Sequence, residues 1–168
     1  MKRPRLIFKV ISSVTVLALI SFAVLVPSTV WAAGARQISG IGYFPGPGEC
    51  TEVASLGATY AVKMTGDLVG CHYVFVTSSN CSPSGTYVEE GNEYFVSATN
   101  PNDTFRTGYK FEAKYTDCAT ATGEIFGRCQ HPIIAGSGKG IFEGVTGRLD
   151  FKDDVTVGNF PYRGHLLY

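Results

Sequence analysis

The sequence predicts an all-β fold, an eight-stranded antiparallel up-and-down barrel that follows an N-terminal signal helix. Three observations predict it. Beyond residue 32 the chain holds five leucines against ten valines, nine tyrosines, nine phenylalanines and thirteen threonines, a composition suited to pleated surfaces rather than helices. Apolar and polar residues alternate with a period of two. Turn-forming residues recur at short intervals between the alternating runs.

The first segment differs in kind from the rest. Lys2, Arg3, Arg5 and Lys9 precede an uncharged stretch from Val10 to Val26, and small residues follow around Ala32 and Ala33. This basic, apolar, small-residue order is that of a secretory signal peptide. The expected organisation is a signal peptide over 1–32, an N-terminal strand and Pro/Gly loop over 33–58, and an antiparallel barrel over 59–168. The expected location is secreted and extracellular, with no stable membrane insertion after cleavage. The formal net charge of the whole chain is zero, but four bases leave with the signal and residues 33–168 carry −4. Neither balance supplies the basic field that nucleic-acid binding needs.

Each strand has its own pattern. Gln37–Phe44 is the expected first strand, placed to pair with the last. Thr59–Val69 puts Tyr60, Val62, Met64 and Leu68 on one side and Lys63 and Asp67 on the other. Cys71–Thr77 follows. Thr86–Glu90 and Glu93–Ala98 are read as two strands facing each other across Gly91-Asn92, a two-residue hairpin signal. Thr104–Thr116 carries the strongest alternation, with Phe105, Tyr109, Phe111, Ala113 and Tyr115 on one face and Arg106, Lys110, Glu112 and Lys114 on the other. Glu124–Gln130, Gly147–Lys152 and Asn159–Tyr168 complete the series. Such a meander hides its edges by closing on itself.

The stretch Ile134–Asp150 is rich in glycine. Gly136-Ser137-Gly138-Lys139-Gly140 superficially matches a phosphate-binding loop, but Lys139 is followed by glycine, not Ser or Thr, and the context is β. Bulges and sharp bends explain these glycines better. Together with Phe142-Glu143-Gly144-Val145-Thr146-Gly147, Phe151-Lys152-Asp153 and Tyr162-Arg163-Gly164-His165-Leu166, the stretch resembles the Gly-rich hairpin of the dirigent and allene oxide cyclase-like barrels, with Gly140-Ile141 as an insertion. Gly127–Pro132 is also similar to segments of secreted bacterial proteins of uncharacterised activity. The resemblance implies a calycin-like barrel with an interior cavity. Members of such families act as cyclases or as guides for radical coupling, or have no assigned activity. None of their catalytic residues matches a position here.

Export favours disulfides among Cys50, Cys71, Cys81, Cys118 and Cys129. The local pairings Cys71–Cys81 and Cys118–Cys129 are expected, leaving Cys50 free or available to link an oligomer. A bridge from Cys50 to Cys71 or Cys81 is an alternative of nearly equal standing. The cysteines lack the spacing of zinc sites, so no metal and no cofactor are expected.

Tyr60, Phe105, Tyr109, Phe111, Tyr115, Phe151 and Tyr162 are the expected interior, able to receive a small apolar or aromatic molecule. His131, with Arg128 three residues upstream on the opposite face, and the pair His165 and Arg163 can be read as carbonyl-polarising groups at a barrel mouth. They are read here as outward polar residues opposite an aromatic core. Glu89-Glu90 and Asp153-Asp154 are read as turn residues. The expected function is binding of a small apolar molecule in the barrel. The alternatives are a cyclase- or isomerase-like enzyme and a ligand-free extracellular structural protein. Charged or histidine side chains inside the barrel would favour catalysis over plain binding.

Overall fold

The computed structural model describes residues 34–168, so the expected signal segment over 1–32 lies outside the described residues. Eight strands, β1 (Arg36–Tyr43), β2 (Tyr60–Gly66), β3 (Gly70–Cys81), β4 (Thr86–Ser97), β5 (Thr104–Asp117), β6 (Thr122–Pro132), β7 (Thr146–Lys152) and β8 (Phe160–Leu167), form one closed antiparallel barrel in sequence order. β1 closes the barrel against β8, with Arg36 opposite Leu166 and Gly42 opposite Phe160. The first strand is therefore a stave of the barrel and not a separate N-terminal element. A four-residue helix, α1 (Val53–Leu56), and a 3-10 turn, Gly140–Phe142, are the helical pieces among the described residues. None is long and apolar enough to cross a membrane.

Period-two alternation sends every second side chain inward. At the end where β5 starts and β6 finishes, the interior is filled. Phe95 and Phe105 stack with ring centroids 4.9 Å apart, and Phe142 closes edge-on over both at 5.8 and 5.0 Å. Met64, Leu68, Val145, Leu149, Leu166 and Tyr162 complete this apolar plug. Glycine permits part of it. A Cβ on Gly40 would strike the Tyr162 ring, whose hydroxyl donates to the Thr65 carbonyl (3.0 Å) and accepts from the Leu68 amide (3.0 Å).

A second, smaller core lies outside the barrel. The loop over 45–59, with α1, covers the outward faces of Ala61, Cys71, Tyr73 and Phe75, and the Tyr73 hydroxyl donates to the Glu52 carboxylate.

The expected hairpin at Gly91-Asn92 does not form. Both residues lie inside the continuous twelve-residue β4, paired with Val76 and Phe75 on β3 and with Tyr109 and Gly108 on β5. Gly91 is there because a Cβ would meet the Phe75 carbonyl oxygen and the Tyr109 ring, so the glycine signal reports close approach and not a turn. The complementary change is in β3, which runs on to Cys81, beyond the expected strand end at Thr77.

The disulfides also differ from the local pairings. Cys50 bridges Cys71 and Cys81 bridges Cys118, leaving Cys129 free and buried. Cys71–Cys81 cannot form, because these residues sit at opposite ends of a twelve-residue extended strand. Cys118–Cys129 cannot form either, since Cys129 faces the barrel interior. Cys50 is consumed internally, which removes the expected cysteine route to an oligomer. The bridges span 21 and 37 residues, and in the chain-entropy model they contribute about 3 and about 4 kcal/mol. Two internal disulfides are consistent with an oxidising, extracellular setting. Burial pushes the Cys129 thiol well above its usual range, with nearby carboxylates adding to the effect. Thiol titration should therefore find no reactive thiol in the native protein and one per chain in denaturant without reductant. A second thiol in denaturant would overturn the bridging scheme.

Candidate functional site

The other end of the barrel is hollow. A cavity of about 550 Å³ opens where β1 ends, β2 begins, β4 begins and β8 begins. The volume lies within the range of small-molecule sites. Five of the seven expected interior residues line it: Tyr60, Tyr109, Phe111, Tyr115 and Phe151. Phe105 and Tyr162 do not. Both point inward as expected, but they belong to the plug at the filled end. Phe44 and Phe160 stand at the rim, edge to face at 5.0 Å.

The floor is polar. Four consecutive strands contribute His72 (β3), Glu93 (β4), Thr107 (β5) and His131 (β6), all nearly inaccessible to water. Glu93 is the hub. Thr107 Oγ1 donates to its Oε2 at 2.5 Å, and His131 Nδ1 donates to the same oxygen at 2.5 Å. His72 Nε2 lies 3.2 Å from Thr107 Oγ1 and 3.5 Å from Glu93 Oε2. Burial pushes the Glu93 carboxyl up, but the neighbouring His131 and His72 and the hydrogen bonds from His131 and Thr107 outweigh it, so the group is held below its ordinary range. An ionised carboxylate only accepts, which fixes the proton on His131 Nδ1. The opposite ring nitrogen, His131 Nε2, is buried without a hydrogen-bond partner. Burial drives the His72 imidazole down to about 4, against the pull of Glu93, so His72 is neutral near pH 7.

A second carboxylate sits above the floor. Glu89 Oε1 accepts from the hydroxyls of Tyr109 (2.8 Å) and Tyr60 (3.2 Å), and Oε2 accepts from Tyr87 (2.8 Å). Burial, the neighbouring charges and the hydrogen bonds to Glu89 push the Tyr60 and Tyr109 hydroxyls far above their usual range, which keeps them as donors. Burial and the adjacent Glu124 raise Asp153 to about 7. Gly127 leaves room for these two groups, since its Cβ would strike both carboxyls.

His131, Glu89 and Asp153 are therefore inside the barrel, not outward or at turns as their polarity suggests. His72, Glu93 and Thr107 complete a site that was not singled out from the sequence. Arg128 and Arg163 stay outside, Arg128 paired with Glu112 at 2.7 Å. His72, Glu93 and His131 also have the donor types and closeness of a metal triad. Their hydrogen bonds to one another and to Thr107 already satisfy the three facing atoms, and the atom left over, His131 Nε2, is on the far edge of its ring.

No protein-family model, curated protein or solved structure matches the chain.

Proposed function

We propose that this is an exported barrel that takes up one small, mainly apolar molecule in its open half. The hollow carries this reading: about 550 Å³ bounded chiefly by aromatic and aliphatic side chains, in a barrel whose other half is packed solid. A ligand-free structural barrel would gain stability by filling that space. The test is a fluorescence titration with N-phenyl-1-naphthylamine, a neutral apolar probe. One probe should bind per chain, and Val62→Phe, which narrows the cavity, should weaken it at least tenfold. Absence of saturable binding overturns the reading.

One observation favours a second reading, a cyclase- or isomerase-type catalyst. Glu93 orients His131 through Nδ1, leaving Nε2 buried without a partner on a residue that lines the cavity, an arrangement suited to proton transfer. It requires turnover of the bound molecule that His131→Gln abolishes while binding persists.

A further inference from the structure

The charge of the cavity narrows the class of ligand, an inference that rests on the binding reading above. The lining holds four carboxyl groups, Glu89, Glu93, Glu124 and Asp153, and two histidines, but no lysine or arginine. Only Glu93 has a partner able to carry positive charge, in His131 and His72. Glu89 is held by three neutral tyrosine hydroxyls. Among the described residues neither it nor Glu124 or Asp153 makes a salt bridge. The open half of the barrel thus gathers four carboxyl groups with no lysine or arginine among them.

The walls add to this preference. Tyr60, Tyr87, Tyr109, Phe111 and Tyr115 surround the Glu89 end of the cavity, with Tyr87 edge-on to Tyr115 at 5.6 Å and to Phe111 at 6.3 Å. Aromatic faces attract cations, and more strongly where water is excluded. Hydrogen-bonding capacity points the same way. The hydroxyl hydrogens of Tyr60, Tyr87 and Tyr109 are spent on Glu89, so these oxygens remain as acceptors. Glu89 has three of its roughly four acceptor positions occupied. The unspent capacity of these groups is for accepting, and a ligand that fits must donate.

We infer that the barrel selects an apolar organic cation, an aromatic or aliphatic amine in its ammonium form, with the charged head among Glu89 and the tyrosines and the apolar body between Phe111, Phe151 and the rim phenylalanines. A carboxylate of the same shape is excluded, because it would enter an acidic cavity that offers no basic partner.

The test compares three probes of one shape by isothermal titration calorimetry at near-neutral pH: naphthalen-1-ylmethylammonium, naphthalen-1-ylmethanol and naphthalene-1-carboxylate. The ammonium should bind at least tenfold more tightly than the alcohol, with the carboxylate weakest. Glu89→Gln should abolish most of that preference. Since Glu89 also anchors three tyrosines, Glu124→Gln serves as a second variant and should reduce the preference without touching that network. Equal binding of the ammonium and the alcohol, tighter binding of the carboxylate, or a preference that survives both variants overturns the cation assignment but leaves the binding barrel standing. Failure of all three probes to bind overturns the binding reading itself.

Discussion

Glu93→Ala should lower the unfolding free energy by about 3–5 kcal/mol, the range observed when one partner of a buried ion pair is removed. The argument starts from the strand. Glu93 faces inward between Val74 on β3 and Thr107 on β5, and only 3% of it is exposed. Its Oε2 receives the hydrogens of Thr107 and His131 and faces His72 Nε2. Alanine leaves His131 Nδ1–H and the Thr107 hydroxyl without their acceptor in a place water does not reach, and opens a gap beside the plug. Each unsatisfied buried donor costs about 1–3 kcal/mol. Glu93→Gln keeps an oxygen in place and loses only the charge, so it should fall between wild type and alanine. Urea denaturation with unchanged m-value measures both. A loss below about 1 kcal/mol for alanine would mean that water satisfies the donors and that the quartet is not a closed network.

The alternation of β5 made the barrel class legible, because five inward positions from Phe105 to Ala113 share one parity across nine residues. The polar floor was not legible, and one misreading accounts for most of that. Taking Gly91-Asn92 as a turn split β4 and severed the parity that runs Tyr87, Glu89, Gly91, Glu93, Phe95. Read as one strand, the same residues place both glutamates on the face of Tyr87 and Phe95. The hairpin signal is local, whereas the reason for Gly91 is the approach of the Phe75 carbonyl and the Tyr109 ring, which lie on two other strands. His131 was missed differently. Polarity alone sends it outward, and only cross-barrel pairing with Glu93 makes its burial tolerable. The disulfides depend on which strand ends and loops meet in space, so chain separation carried no information about partners, although Cys50–Cys71 was among the open alternatives. Why Phe105 and Tyr162 fall in the plug and not the cavity is a matter of height along the barrel axis, which parity does not encode.

Acidification should destabilise the protein by up to about 3 kcal/mol between the ordinary histidine pKa and pH 4, and His72 should be the residue responsible. Burial holds the His72 imidazole at about 4 in the folded protein, whereas in the unfolded chain it returns to its ordinary value of 6.5. Below 6.5 the unfolded state therefore binds a proton that the folded state refuses. The contribution is whole above 6.5 and is lost as pH falls through about 4. Glu93, held below its ordinary range, loses its contribution in the same direction at more acidic pH. Asp153 works oppositely. Its folded pKa is raised to about 7, so its contribution is whole below the ordinary aspartate range and is lost as pH rises through 7. It is only half-buried, and solvent screening leaves it the smaller of the two effects. The two limbs can be separated by denaturant midpoints measured across the range. His72→Gln, which retains a hydrogen-bond donor near Thr107, should flatten the limb between 6.5 and 4 and leave the alkaline limb unchanged, and Asp153→Asn should do the reverse. If the acid limb persists undiminished in His72→Gln, the floor of the cavity admits enough water to charge the imidazole. The closed network that makes Glu93 costly to remove would then be wrong as well.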